Sequence, residues 1–208
     1  MRWRVLVPIK PAEVAKTRLR GATAAESGHA RLVRALQRDT LAAVLAAAAE
    51  DPLIAGVYVI GAPSSFGELP AGVAVLPDRG QGLNDALTRA SSAVRAVHPD
   101  EGHAALVADL PALRPRELLD VLRAAATTPR GFVPDAAGRG TTMLTAWPDQ
   151  QLAPAFGDGS ARRHRASAAT ELPAGPGART DVDTAEDLRR CLALGVGEHT
   201  ASMVGHLV

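Results

Sequence analysis

Asp109 and Asp183 are the two carboxylates of this sequence best suited to chemistry. Asp109 closes the apolar run Ala104–Ala108 and precedes Leu110-Pro111, so an acid is presented where a buried strand stops. A hard cation such as magnesium can take a carboxylate there, together with phosphate oxygens of a substrate. The alternative is a cap on the helix that starts after Pro115, but an N-cap lies closer to its helix than Asp109 does. Asp183 belongs to Thr180-Asp181-Val182-Asp183-Thr184, just ahead of Ala185-Glu186-Asp187-Leu188. Thr184 and Asp187 have the spacing of a capping box, which accounts for Asp187 and leaves Asp183 as the candidate second carboxylate.

Phe156-Gly157-Asp158-Gly159-Ser160 leads into Ala161-Arg162-Arg163-His164, and Asp135 to Gly140 forms a turn that delivers Thr141 and Thr142 into a strand. Glycines followed by a serine at a helix start aim backbone N–H groups and a hydroxyl at one point, the usual construction for holding a phosphate. A surface turn with an N-cap explains the same residues, and Arg162 and Arg163 add the positive charge that a phosphate site wants. Of 23 basic residues only Lys10 and Lys16 are lysines, both near the start of the chain. In so arginine-rich a sequence, a lysine marks a place for a compact ammonium. The six histidines include no i, i+4 pair; five read as surface or structural residues, and His164 stands out for its glycine- and arginine-rich surroundings. No P-loop, hydrolase elbow, zinc-protease helix or paired C-x-x-C occurs. Gly80-x-Gly82 is followed by Asp85 where a dinucleotide fingerprint needs glycine.

The elements that must hold these residues alternate. Val5–Ile9, Ile54–Ile60, Val73–Leu76 and Ala104–Ala108 are short apolar runs with little alternation, as expected of strands buried on both faces. Between them, Leu32 to Leu45 and Leu83 to Val97 recur at helical spacing, and Leu118 to Leu122 suggest another helix before strands at Phe132-Val133 and Met143–Trp147. This order predicts an α/β fold, a Rossmann-like, mostly parallel sheet flanked by helices. Ligands of such sheets sit beyond the carboxyl ends of the strands, which selects the loops Lys10–Leu19, Asp78–Asn84 and Asp109–Arg114. One domain spanning residues 1–208 is expected.

Composition narrows the class. Hydrophobic residues make 47% and charged residues 22%, with net charge +1 and 3% aromatics, so there is neither the field nor the stacking platform for nucleic acid. No apolar run reaches a membrane span of about 20 residues. The lone Cys191 forms no internal disulfide and the N-terminal apolar run is too short for a secretory signal, so a cytoplasmic protein is expected.

Taken in order, Val7-Pro8-Ile9-Lys10-Pro11 with Ala15-Lys16-Thr17-Arg18-Leu19, then Gly82-Leu83-Asn84, Ala108-Asp109-Leu110-Pro111, Asp135 to Thr142, Phe156 to Ser160 and Asp181-Val182-Asp183-Thr184, resemble the CofC/FbiD guanylyltransferases of deazaflavin coenzyme biosynthesis. The resemblance implies a nucleotidyltransferase fold of the glycosyltransferase-A type. It implies transfer of GMP from GTP to a phosphorylated three-carbon acid, with release of pyrophosphate. By the same resemblance Lys16, supported by Lys10 and Arg18, neutralises GTP phosphates, and Gly82, Leu83 and Asn84 border the nucleotide. Asp109 and Asp183 hold Mg(II), and Thr142, Gly157 and Ser160 bind the acceptor. The Ala-, Arg- and Gly-rich composition looks actinobacterial, which points to phosphoenolpyruvate over 2-phospho-L-lactate or 3-phosphoglycerate. Hand-over of product to a downstream ligase, and a homodimer, are compatible with the resemblance. Related molybdenum-cofactor and sugar-phosphate nucleotidyltransferases carry a glycine-rich loop after the first strand, whereas Lys10 to Val14 contains no glycine. A silent nucleotide-binding module would have no need of Lys16, Asp109 and Asp183 together.

Overall fold

The computed structural model describes residues 1–11, 26–61, 69–78 and 82–204. Its strands are β1 (Trp3–Pro8), β2 (Ile54–Gly61), β3 (Val73–Pro77), β4 (Gly102–Leu106), β5 (Arg130–Pro134), β6 (Thr141–Ala146) and β7 (Thr170–Glu171). Its helices are α1 (Glu26–Glu50), α2 (Leu83–Val97), α3 (Pro115–Ala125), α4 (Ser160–Ala166), α5 (Pro176–Arg179), α6 (Ala185–Leu194) and α7 (Glu198–Val204). The strands form one sheet in the order β3-β2-β1-β4-β6-β5-β7. β6 pairs antiparallel with both β4 and β5, and every other pairing is parallel.

Because side chains alternate across a strand, each central strand feeds two cores. On one face Trp3, Val5, Val7, Ala104 and Leu106 pack with Leu41 and Val44 of α1 and Leu118 and Leu122 of α3. On the other, Leu6, Ala105, Phe132 and Leu144 pack with Leu87 and Val94 of α2 and Ala161 of α4. Strands covered on both sides in this way show the unbroken apolar runs seen in the sequence. Burying each large side chain contributes on the order of 2 kcal/mol. A third cluster, Leu32, Leu36, Ala112, Val182, Leu188 and Cys191, fastens α1 and α6 to the segments that carry the acids. No described helix is long and apolar enough to cross a membrane.

Candidate active site

β1, β4 and β5 run parallel and end at one edge of the sheet; β6 runs the other way, so its first residue starts at that same edge. Strand order reverses between β1 and β4, the position where open α/β sheets hold their ligands. A cleft of about 500 Å³ opens there, bordered by Lys10, Leu83, Asp109, Thr141, Ser160 and Asp183. Val33, Leu36 and Gln37 of α1 supply one wall, and the Gln37 side-chain amide donates to the Lys10 carbonyl at 3.1 Å.

Asp109 does not cap α3. The Arg114 N–H at that helix start is taken by the Glu117 carboxylate at 3.1 Å, which leaves Asp109 in the cleft. Its segment is held by Thr40, whose hydroxyl accepts the Leu110 N–H at 2.9 Å. Val182 is fully buried, and its N–H donates to the Asp109 carbonyl at 3.1 Å. Asp181 and Asp183, on either side of Val182, thereby come to the same place as Asp109: one carboxylate oxygen from each lies within 4.8 Å of the others. Thr184 and Asp187 form the expected capping box, with the Asp187 N–H reaching Thr184 Oγ1 at 3.2 Å and the Thr184 N–H reaching Asp187 Oδ2 at 2.9 Å. Three carboxylates converging from two segments fit a hard divalent cation, which prefers oxygen ligands. Buried Cys191 lies behind them, its thiol pushed up to about 12 by burial and by Asp181, Asp109 and Asp187, so it is inert.

The opposite wall is built of hydroxyls. Between Val133/Met143 and Pro134/Thr141 the β5–β6 register slips by one residue, leaving Thr142 in a bulge, and bulges re-aim side chains. Thr142, fully buried, donates its hydroxyl to the Ala178 carbonyl at 2.7 Å and does not line the cleft. The hydroxyl residue of this strand that lines the cleft is Thr141, to which Ser160 Oγ donates at 3.0 Å. The Phe156–Ser160 loop turns through Gly157 (φ 118°) and Gly159 (φ 67°), left-handed values that explain the glycine spacing. Arg163 braces this loop, its guanidinium donating to the carbonyls of Ala155 and Asp158, so its charge serves the loop's shape. Asn84 clamps it from α2: its amide accepts the Phe156 N–H at 2.8 Å and donates to the Phe156 carbonyl at 3.1 Å.

His164 is buried beneath the loop and His103 lies within the sheet. Burial first, then Arg130 and Arg163, pulls His164 down to about 4. Burial, then Arg95, Arg4 and His98 against an opposing Glu101, does the same for His103. Both rings are neutral when folded and would protonate near 6.5 when unfolded, so the unfolded chain binds more protons between those values. Stability is full above about pH 6.5 and falls as pH drops toward 4, with a slope approaching about 1.4 kcal/mol per pH unit for each ring. Urea unfolding at stepped pH measures this; a flat profile between pH 6.5 and 4.5 would show the rings are not held neutral.

Of the residues expected from the sequence, Asp109 and Asp183 meet, and Lys10, Leu83, Gly157 and Ser160 share their cleft. Gly82 precedes α2 with φ 113°, and neither it nor Asn84 lines the cleft. Lys16 and Arg18 lie outside the described residues. Sequence reasoning passed over Asp181 and Thr141. The i, i+2 spacing of Asp181 and Asp183 in an extended segment was the available signal for the first; nothing in the sequence marks the bulge that selects Thr141.

Residues 3–207 match the family described as guanylyl transferase CofC like. A relative from Streptomyces coelicolor named phosphoenolpyruvate guanylyltransferase is 49% identical over 213 residues, covering 100% of this chain and 98% of its own. One of the same name from Geodermatophilus obscurus is also 49% identical, covering 98% and 94%. Among solved structures, the Francisella tularensis 2-C-methyl-D-erythritol 4-phosphate cytidylyltransferase superposes with TM-score 0.55 at 12% identity, over 93% of this chain and 100% of its own. A Mycobacterium tuberculosis protein solved in complex with manganese superposes with TM-score 0.54 at 21% identity, over 93% and 98%. These structures share the fold; the full-length match and the identities go further, and the chain belongs to the CofC-like guanylyl transferase family.

Proposed function

We propose that this chain transfers the guanylyl group of GTP to phosphoenolpyruvate, within deazaflavin coenzyme biosynthesis. The name carried by full-length relatives supports the substrates. The observation that carries the chemistry is one cleft with three converging carboxylates on one wall and the Thr141 and Ser160 hydroxyls on the other. A phosphate oxygen of the acceptor attacks the α-phosphorus of GTP. A new P–O–P bond forms, the bond between the α-phosphorus and the bridging oxygen to the β-phosphorus breaks, and pyrophosphate leaves. The attacking oxygen is already ionised at neutral pH, so no general base is needed, and the protein's work is alignment and charge stabilisation.

In this reading Asp109, Asp181 and Asp183 hold Mg(II), which when bound neutralises charge on the reacting phosphates. Lys10, with Lys16 and Arg18, offsets the negative charge of the triphosphate. Leu83, beside Gly82, borders the nucleotide, and Asn84 acts through the Phe156 backbone that it clamps. Thr141 donates to the acceptor's phosphate or carboxylate across Gly157, with Ser160, whose hydroxyl proton goes to Thr141 Oγ1, holding it in place and Thr142 fixing the bulge behind them. Hand-over of the diphosphate ester to a ligase, assembly as a homodimer and a cytoplasmic location belong to the same reading.

The test is pyrophosphate release with magnesium and GTP, offering phosphoenolpyruvate, 2-phospho-L-lactate and 3-phosphoglycerate separately, with product mass as confirmation. Turnover with phosphoenolpyruvate alone is expected; preference for another acid overturns the acceptor, and silence with all three overturns the reaction. Ser160→Ala raises the apparent KM for the acceptor about tenfold, because Thr141 loses the hydrogen bond that keeps its own proton for the charged acceptor, with KM for GTP within twofold. A change confined to GTP would remove Ser160 from the acceptor wall.

A further inference from the structure

His164 touches no cleft space and is absent from the roles above, yet its two ring nitrogens are both engaged. Nε2 lies 3.0 Å from the Ala155 N–H. An amide N–H can only donate, so Nε2 is the nitrogen with the lone pair, and in the neutral ring the proton sits on Nδ1. Nδ1 lies 2.9 Å from Thr141 Oγ1 and therefore donates to it. Ser160 Oγ donates to the same oxygen at 3.0 Å. A hydroxyl has two acceptor sites and one proton. With both acceptor sites of Thr141 occupied, one by His164 and one by Ser160, only its own proton is left for the cleft that it lines.

We propose that His164 is a positioning residue for the acceptor: by donating from Nδ1 it makes the Thr141 hydroxyl an obligate hydrogen-bond donor toward the phosphorylated acid. An anion offers only lone pairs, so a hydroxyl locked as a donor matches it, whereas a freely rotating one spends part of its time presenting oxygen to oxygen. The ring is prevented from swinging by Phe156, edge-on at 5.5 Å between centroids, and by Phe132 at 5.9 Å. Burial keeps it neutral, which preserves the lone pair for Ala155. The same imidazole thus ties the loop's backbone, at Ala155, to the orientation of the cleft hydroxyl. This inference rests on the guanylyl transfer proposed above.

The experiment compares wild type with His164→Phe, His164→Asn and Thr141→Val, measuring KM for phosphoenolpyruvate and for GTP, kcat and melting temperature for each. Phenylalanine keeps the ring and loses the donor; asparagine loses ring volume but puts an amide N–H near the Nδ1 position. If His164 only fills space, phenylalanine is the milder change. The proposal expects the reverse order for acceptor binding. His164→Phe and Thr141→Val each raise KM for phosphoenolpyruvate about tenfold with KM for GTP within twofold, His164→Asn recovers most of that loss despite a lower melting temperature, and the Phe/Val double variant is no worse than Thr141→Val alone. An unchanged acceptor KM in His164→Phe, or an asparagine variant no better than phenylalanine, overturns it while wild-type turnover stands. Wild-type silence with all three acids overturns the proposed reaction and this contact with it.

Discussion

Replacing Asp181 by asparagine lowers kcat/KM about a hundred- to a thousandfold, as do Asp109→Asn and Asp183→Asn, while each variant keeps its fold. The magnitude is that of removing one preorganised electrostatic contact from a phosphate-transfer site. Asparagine preserves shape and removes charge, so the three oxygens that lie within 4.8 Å lose one anionic member without a cavity being opened. Asp181 is the informative case, because its neighbour Asp183 could be imagined to suffice. Steady-state pyrophosphate release across a magnesium titration, with circular dichroism and melting curves alongside, measures the effect. Wild-type activity in any one variant removes that residue from the cluster. Partial recovery at high magnesium in all three marks the loss as one of metal affinity.

Gly177→Ala produces the second large effect, from a residue outside the cleft. Gly177 sits where the Asp109–Ala112 segment meets the chain leading to Asp181, and its N–H donates to Glu117 Oε1 at 3.0 Å. A Cβ there would run into the Ala112 carbonyl and the Glu117 carboxylate, the first a backbone atom that cannot step aside. Overpacking of this kind costs about 2 kcal/mol, a fall of roughly 4–8 °C in melting temperature for a chain of this size. Relief of the clash pushes Asp181 and Asp183 away from Asp109, and a shift of about 1 Å at a reacting centre is worth roughly a hundredfold in rate. Thermal melts and kcat/KM are measured on the same preparation. Unchanged values of both would mean that α5 yields without moving the acids.

How legible the site was depends on what each residue needed. Asp109 was readable because a carboxylate after an apolar strand has few other uses, and Glu117 in fact performs the capping that competed for it. The α2 boundaries at Leu83 and Val97 followed from periodicity alone. The reversed direction of β6 was not readable: its apolar run looks the same either way, and only pairing with both β4 and β5 determines it. The choice between Thr141 and Thr142 depended on a one-residue register slip, which flips a side chain to the other face. Asn84 was assigned to the nucleotide by the family resemblance alone; its clamp on Phe156 joins positions 72 residues apart, beyond any local pattern. β7, two residues long, carries too little pattern to be seen.

The cleft draws its walls from seven separated stretches of chain, from Pro8 to Asp183. No partly folded fragment contains it, so a nucleotide that binds there discriminates against every such fragment as well as against the unfolded chain. By linkage, saturation at a hundredfold excess over Kd adds about 2.7 kcal/mol to the free energy of opening. That increment reaches amides in β2, remote from the ligand, wherever their exchange requires global opening. A bound nucleotide thereby lowers the population of opened chain that a protease can cut, at sites throughout the polypeptide.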